Sequence, residues 1–141
     1  MPNVDLNHLA PAELQQQLAS HGTIVACLCA AWCDVCRSYR ADFDALSAQF
    51  PDLLFVWIDI EDQSSLVDDL DIDNFPTLLI QQQDIVSFYG TMQPDTAQLK
   101  RLVQSLTDQT PQQLQTLADS GALQRSWQLE ANLRKRIAAH V

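Results

Sequence analysis

The chain has 141 residues, of which 47% are hydrophobic, and eighteen acidic against eight basic side chains give a net charge of -10. That length supports one domain of ordinary size with about thirty residues to spare, and it buries enough surface to fold without a disulfide or metal staple. The acidity excludes a general nucleic-acid binder, the composition excludes a disordered chain, and no apolar run reaches the ~18 residues of a membrane span.

In chain order, Pro11 to Ser20 reads as a short helix, with a proline suited to the first turn and His21-Gly22 suited to stopping it. Thr23 to Cys29 is a short run of β-branched and small residues, the pattern of a buried strand. From Cys33 the period changes. Val35, Tyr39, Phe43, Leu46 and Phe50 recur at helical spacing until Pro51. Leu53 to Ile60 reads as a second buried strand, followed by a short helix over Ser64 to Leu70. Thr77 to Gln82 and Ile85 to Tyr89 read as a hairpin turning at Gln83-Asp84, although Gln83 is a poor residue for such a turn. After Gly90, Pro94 opens a helix with the apolar stripe Leu99, Leu102, Val103 and Leu106. The order αβαβαββα predicts an α/β fold with a mixed central sheet flanked by helices, antiparallel at the final hairpin.

Charge marks a boundary near Thr110-Pro111. Residues 1–110 carry a net of -12, and residues 111–141 a net of +2. The first segment is read as the domain and the second as a C-terminal helical extension. Thr110, Pro111 and Gln113 supply an N-cap, a first-position proline and a capping-box partner. Gly121 separates that helix from a longer one placing Leu129, Leu133 and Ile137 on one stripe, beside the basic Arg134, Lys135 and Arg136. An apolar stripe on a protein in water packs on something, and the acidic domain is the expected surface. The clusters Gln15 to Gln17 and Gln81 to Gln83 read as solvated helix and hairpin surface, and the acidic stretch Asp59 to Asp73 as a solvated helix with its flanks.

All four cysteines, Cys27, Cys29, Cys33 and Cys36, fall within ten residues. The N-terminal residues have neither the basic nor the apolar region of a signal peptide, so the expectation is a cytoplasmic protein. There, clustered cysteines favour redox or metal chemistry over structural disulfides. Cys33 sits where a strand gives way to a helix, facing unpaired backbone N–H groups and the positive end of the helix dipole, which favour a thiolate. Cys36 lies one turn on, near enough to close a tight disulfide. Cys33 is therefore the expected nucleophile towards a substrate disulfide, and Cys36 the group that resolves the mixed disulfide.

Ala31-Trp32-Cys33-Asp34-Val35-Cys36 resembles the active-site stretch of thioredoxins, and Asn74-Phe75-Pro76-Thr77-Leu78 resembles their cis-proline loop. Gly90 matches a further glycine of that family, and the resemblance spans roughly residues 10–107. It implies a thioredoxin fold and a cis bond before Pro76. It also implies a groove in which the Phe75 backbone pairs with a substrate strand, with Trp32 shielding the site and contacting partners. Those partners would be protein or small-molecule disulfides and a thioredoxin-reductase-type recycling enzyme, with no cofactor, nucleic acid or membrane.

The departures bear on tuning. Asp34-Val35 replaces the family's usual Gly-Pro, and a carboxylate beside Cys33 disfavours the thiolate and makes the site more reducing. Cys27 and Cys29 stand where the family commonly has a buried aspartate and a tryptophan, Trp57 replaces a lysine, and Ala41 a helix proline. Proton transfer at Cys36 then needs water, Cys27 or another group. Cys27 and Cys29 share a strand face and read first as small buried hydrophobes. Exchange of Cys27 with Cys36 and a four-thiolate metal site are the alternatives. His8, His21 and His140 read as surface or loop residues, and Trp57 as sheet core. Two functions fit this sequence: a thiol–disulfide oxidoreductase using Cys33 and Cys36, and a protein-binding module whose C-terminal helices engage a partner.

Overall fold

A computed structural model describes residues 3–5, 11–67, 70, 72 and 74–140. Its elements are β1 (Asn3–Asp5), α1 (Pro11–Ser20), β2 (Thr23–Cys29), α2 (Asp34–Ser47), β3 (Leu54–Asp59), α3 (Ser64–Val67), β4 (Thr77–Gln82), β5 (Ile85–Thr91), α4 (Thr96–Thr107), α5 (Pro111–Ala118), α6 (Ala122–Glu130) and α7 (Leu133–His140). The strands form one five-stranded sheet in the order β1-β3-β2-β4-β5. β3 is parallel to β1 and β2, whereas β4 is antiparallel to β2 and β5. The mixed sheet and its hairpin are as the alternation of elements predicts. β1 was not expected: three residues are too few to show a period.

Alternation along the strands sorts the core into two layers. Ile24, Ala26, Leu28, Leu54, Val56, Ile58 and Leu79 pack with α1, α3, α6 and α7. Val25, Cys27, Cys29, Phe55, Trp57, Leu78 and Ile80 pack with α2, α4 and Leu114 of α5. α2 buries Tyr39, Phe43 and Leu46 but ends at Ser47 rather than Phe50. The N–H groups of Gln49 and Phe50 bond back three residues to Leu46 and Ser47, so the chain tightens before Pro51. α4 starts at Thr96 rather than Pro94 because Asp95 is its N-cap, accepting a bond from the Ala97 N–H at 2.9 Å.

The hairpin does turn at Gln83-Asp84, with Gln83 in the left-handed region at φ 55°. Tertiary bonds hold it there: the Gln83 N–H donates to the Gly22 carbonyl at 2.7 Å, and its own carbonyl accepts from Gln81 Nε2 and Arg134 Nε. None of these uses the Gln83 side chain. Gln83→Asn, which tolerates this backbone better, is therefore expected to raise unfolding free energy by a few tenths to about 1 kcal/mol in a denaturant titration.

The C-terminal segment docks on the chain's own sheet, but not through the expected stripe. The helix breaks at Ala131-Asn132, so Leu129 is 87% exposed while Leu133 and Ile137 are buried. Trp127, Ala131, Leu133 and Ile137 complete the layer begun by Leu14, Leu18, Leu66 and Val67. Asn132 makes the break, its Oδ1 accepting from the Lys135 N–H at 3.1 Å to cap α7. Two of the basic residues reach backbone carbonyls. Arg134 donates to the carbonyls of Leu18, His21 and Gly22, the end of α1 where partial negative charge collects. Arg136 donates to the carbonyls of Leu66 and Glu130.

Gln81 and Gln82 correct the reading of the hairpin glutamines as solvated: both are buried. Gln81 Oε1 accepts from the N–H groups of Leu133 and Arg134, and its Nε2 donates to Asn132 Oδ1 at 2.8 Å. A buried amide so satisfied fixes α7 against β4. Gln128 does similar work at the sheet edge, its Oε1 accepting from the Val86 N–H and its Nε2 donating to the Val86 carbonyl. His21 lies in the loop after α1, half-buried with Nδ1 2.8 Å from the Gln17 carbonyl. His8 and the His140 side chain lie outside the described residues.

Candidate active site

The crossover from β2 to α2 brings three cysteines together. Cys29 ends the strand, Cys33 is the N-cap of α2 in extended conformation, and Cys36 is in the first turn. A helix turns its third residue back over the sheet, so Cys36 is buried while Cys33 stays half-exposed. The bonded pair differs from the expectation. Cys36 is joined to Cys29, with Cα atoms 5.7 Å apart, and Cys33 is a free thiol. The strand end and the inward face of the first turn meet across the core, whereas the N-cap side chain points out towards solvent. The Ala30 N–H donates to Cys36 Sγ at 3.4 Å.

Cys27 is a free, buried thiol on the same sheet face, its Sγ 3.8 Å from that of Cys29. It is Cys29, not Cys27, that meets Cys36, because the strand carries Cys27 two residues further from the helix. Burial pushes the Cys27 thiol well above its ordinary pKa, with the Arg40 guanidinium pulling the other way. That guanidinium lies over the Trp57 ring, 4.7 Å from its centroid. Trp57 is core as expected, edge-on to Phe43 with ring centroids 5.8 Å apart, but it also lines a cavity of about 370 Å³ beside Cys36. Ala30, Ala31, Arg37, Arg40, Asp59 and Asp62 complete the lining.

The rim is aromatic. Trp32, 61% exposed, meets Phe75 edge-on with ring centroids 5.7 Å apart, and its indole N–H donates to Glu61. The Phe75-Pro76 peptide bond is cis, and the Pro76 carbonyl accepts from the Met92 N–H at 3.2 Å. Residues 5–107 match the family model of thioredoxin. The chain belongs to the thioredoxin family.

Relatives and solved structures agree. A rice protein described as thioredoxin H5 is 33% identical over 70 residues, covering 49% of this chain and 52% of that protein. Chicken thioredoxin is 28% identical over 72 residues, 51% of this chain and 69% of its own. The chain thus spans about half the length of the rice relative it matches. A mutant thioredoxin from Halobacterium salinarum superposes with a TM-score of 0.63 at 22% identity, over 77% of this chain and 94% of the other. Thioredoxin O1 from Arabidopsis thaliana, in its oxidised state, gives 0.59 at 24% identity, over 73% and 96%. At these identities the solved structures speak to the fold, which is that of thioredoxin.

Against the thioredoxin frame, the tuning residues separate. Asp34 is exposed and ion-paired with Arg37, which also donates to the Ala31 carbonyl at 2.9 Å, so its charge is answered locally rather than at Cys33. Val35 is 41% exposed beside it. Two carboxylates were missed. Asp59, read as solvated, is buried at the end of β3 and accepts from the N–H groups of Ala31, Glu61 and Asp62. It ties the loop before Cys33 to the neighbouring strand, while Glu61 holds Trp32. A carboxylate following a run of six apolar-facing positions was the signal for Asp59; nothing local marked Glu61. Among the described residues, no group of three or more His, Cys, Asp or Glu is arranged to hold a metal ion. No described helix is long and apolar enough to cross a membrane.

Proposed function

We propose that the protein is a thiol–disulfide oxidoreductase of the thioredoxin kind, exchanging dithiol and disulfide with disulfide-bearing substrates. The observation that carries this reading is the half-exposed Cys33 thiol at the start of α2, one turn from a buried Cys36 already engaged in a disulfide. Cys33 attacks a substrate sulfur, the substrate's other thiol leaves, and Cys36 attacks Cys33 Sγ to release the first. Trp32 and Phe75 form the wall against which the substrate lies, and the chain around Pro76 offers its backbone. Protein disulfides and a reductase that recycles the site are the partners this chemistry needs. A cytoplasmic location suits it, since thiols are kept reduced there.

The binding-module reading has less to stand on, because Trp127, Leu133 and Ile137 pack on the chain's own sheet and leave Leu123 and Leu129 exposed. The test is reduction of insulin disulfides with dithiothreitol as electron donor. Precipitation of insulin chains faster than with dithiothreitol alone is expected; no acceleration would leave the cysteines without this role.

A further inference from the structure

We propose that Cys29 is a third redox cysteine of this site, accepting Cys36 from Cys33 so that the oxidising equivalent is stored in the buried Cys29–Cys36 disulfide while Cys33 is returned as a free thiol. This rests on the oxidoreductase reading above. What points to it is the arrangement itself: Cys36 is bonded to Cys29, both are shielded from solvent, and the half-exposed Cys33 is unpaired. The Cα separation of 5.7 Å is that of ordinary disulfides, so the pair forms without moving the strand end away from the helix.

The steps balance. Substrate disulfide and the three thiols give, after attack by Cys33 and resolution by Cys36, two substrate thiols and a Cys33–Cys36 disulfide. The Cys29 thiol then loses its proton to solvent. Its sulfur bonds to Cys36 Sγ, the Cys33–Cys36 bond breaks, and Cys33 leaves as a thiolate that solvent reprotonates. This last step moves a disulfide without net oxidation, and the oxidant throughout is the substrate. Cys27, kept as a thiol by burial, is placed to donate its S–H to Cys29 Sγ at 3.8 Å whenever Cys29 carries charge. Cys29 and Cys36 are buried whereas Cys33 is half-exposed, so reduction retraces the route through Cys33.

The experiment is oxidation of reduced protein by a small disulfide such as hydroxyethyl disulfide, native alkylation, and chymotryptic mapping. Cleavage after Trp32 separates Cys29 from Cys33 and Cys36. A Cys29–Cys36 bond therefore joins two peptides, whereas a Cys33–Cys36 bond lies within one. In the oxidised wild type, near-complete alkylation of Cys33 and a joined pair of peptides are expected. In Cys29→Ser, alkylation of Cys33 should fall nearly to zero, because Cys36 then returns to Cys33, Cys27 lying two residues further from the helix. In Cys33→Ser, oxidation of the buried pair should slow by an order of magnitude or more. A Cys33–Cys36 bond in the oxidised wild type would overturn the transfer to Cys29 and leave the oxidoreductase reading standing. Oxidation of Cys33→Ser at the wild-type rate would overturn entry through Cys33, and with it both readings.

Discussion

Cys33→Ser is expected to abolish catalysed insulin reduction, a loss of about a thousandfold or more over wild type in the presence of dithiothreitol. The size follows from the role. A hydroxyl at the N-cap of α2 neither forms the mixed disulfide nor leaves it, and losing the nucleophile of a covalent route removes the route rather than slowing one step. Stability should barely change, because Cys33 is half-exposed and its side chain makes no capping bond. Circular dichroism and melting temperature near wild type, with turnover gone, would separate chemistry from folding. Retained turnover would assign the nucleophile elsewhere among the four cysteines.

Trp127→Ala is expected to lower the unfolding free energy by about 3–5 kcal/mol, and the melting temperature by roughly 10 °C or more. Trp127 is nearly buried in the layer shared by α1, α3 and α7, and its ring lies 5.9 Å from that of Phe88. Removing it opens a cavity under α6 and loosens the seat of Leu133 and Ile137. Cys33 and Cys36 pack with the other core layer, so a reducible site should persist at temperatures where the variant is folded. A loss below about 1 kcal/mol would mean that the C-terminal helices do not pack on the sheet in solution.

These two sites also mark what the sequence made legible. The WCxxC stretch at a strand-to-helix junction is local information, so Cys33 and Cys36 could be placed by spacing alone, and the strands Thr23–Cys29 and Thr77–Gln82 fell at their expected bounds. The docking of the extension was readable from Leu133 and Ile137, but its register was not. The break at Asn132 depends on a glutamine 51 residues earlier, and a helical period gives no sign of such a partner. Gln81 illustrates the same limit: beside Gln82 and Gln83 it looks solvated, and only the arrival of α7 over β4 makes its burial favourable.

The partner of Cys36 was the hardest to foresee. Spacing within α2 favours Cys33, but the bond lies with the end of the adjacent strand, and that depends on how the first turn sits over the sheet. Parity correctly put Cys27 and Cys29 on one face, yet it could not say which of them lay under the helix. Asp59 was hidden for the same reason, since the three N–H groups it accepts belong to turns whose shape the sequence does not declare.

The central claim, that exchange enters through Cys33 and is resolved by Cys36, is tested most directly by trapping. Cys36→Ser, reduced and mixed with a protein disulfide substrate such as insulin, should accumulate a covalent mixed disulfide, because the resolving sulfur is gone. Mass mapping is expected to find the substrate linked to Cys33, with the adduct released by dithiothreitol. An adduct on Cys27 or Cys29 with Cys33 unmodified, or no adduct under conditions where wild type reduces insulin, would contradict the account.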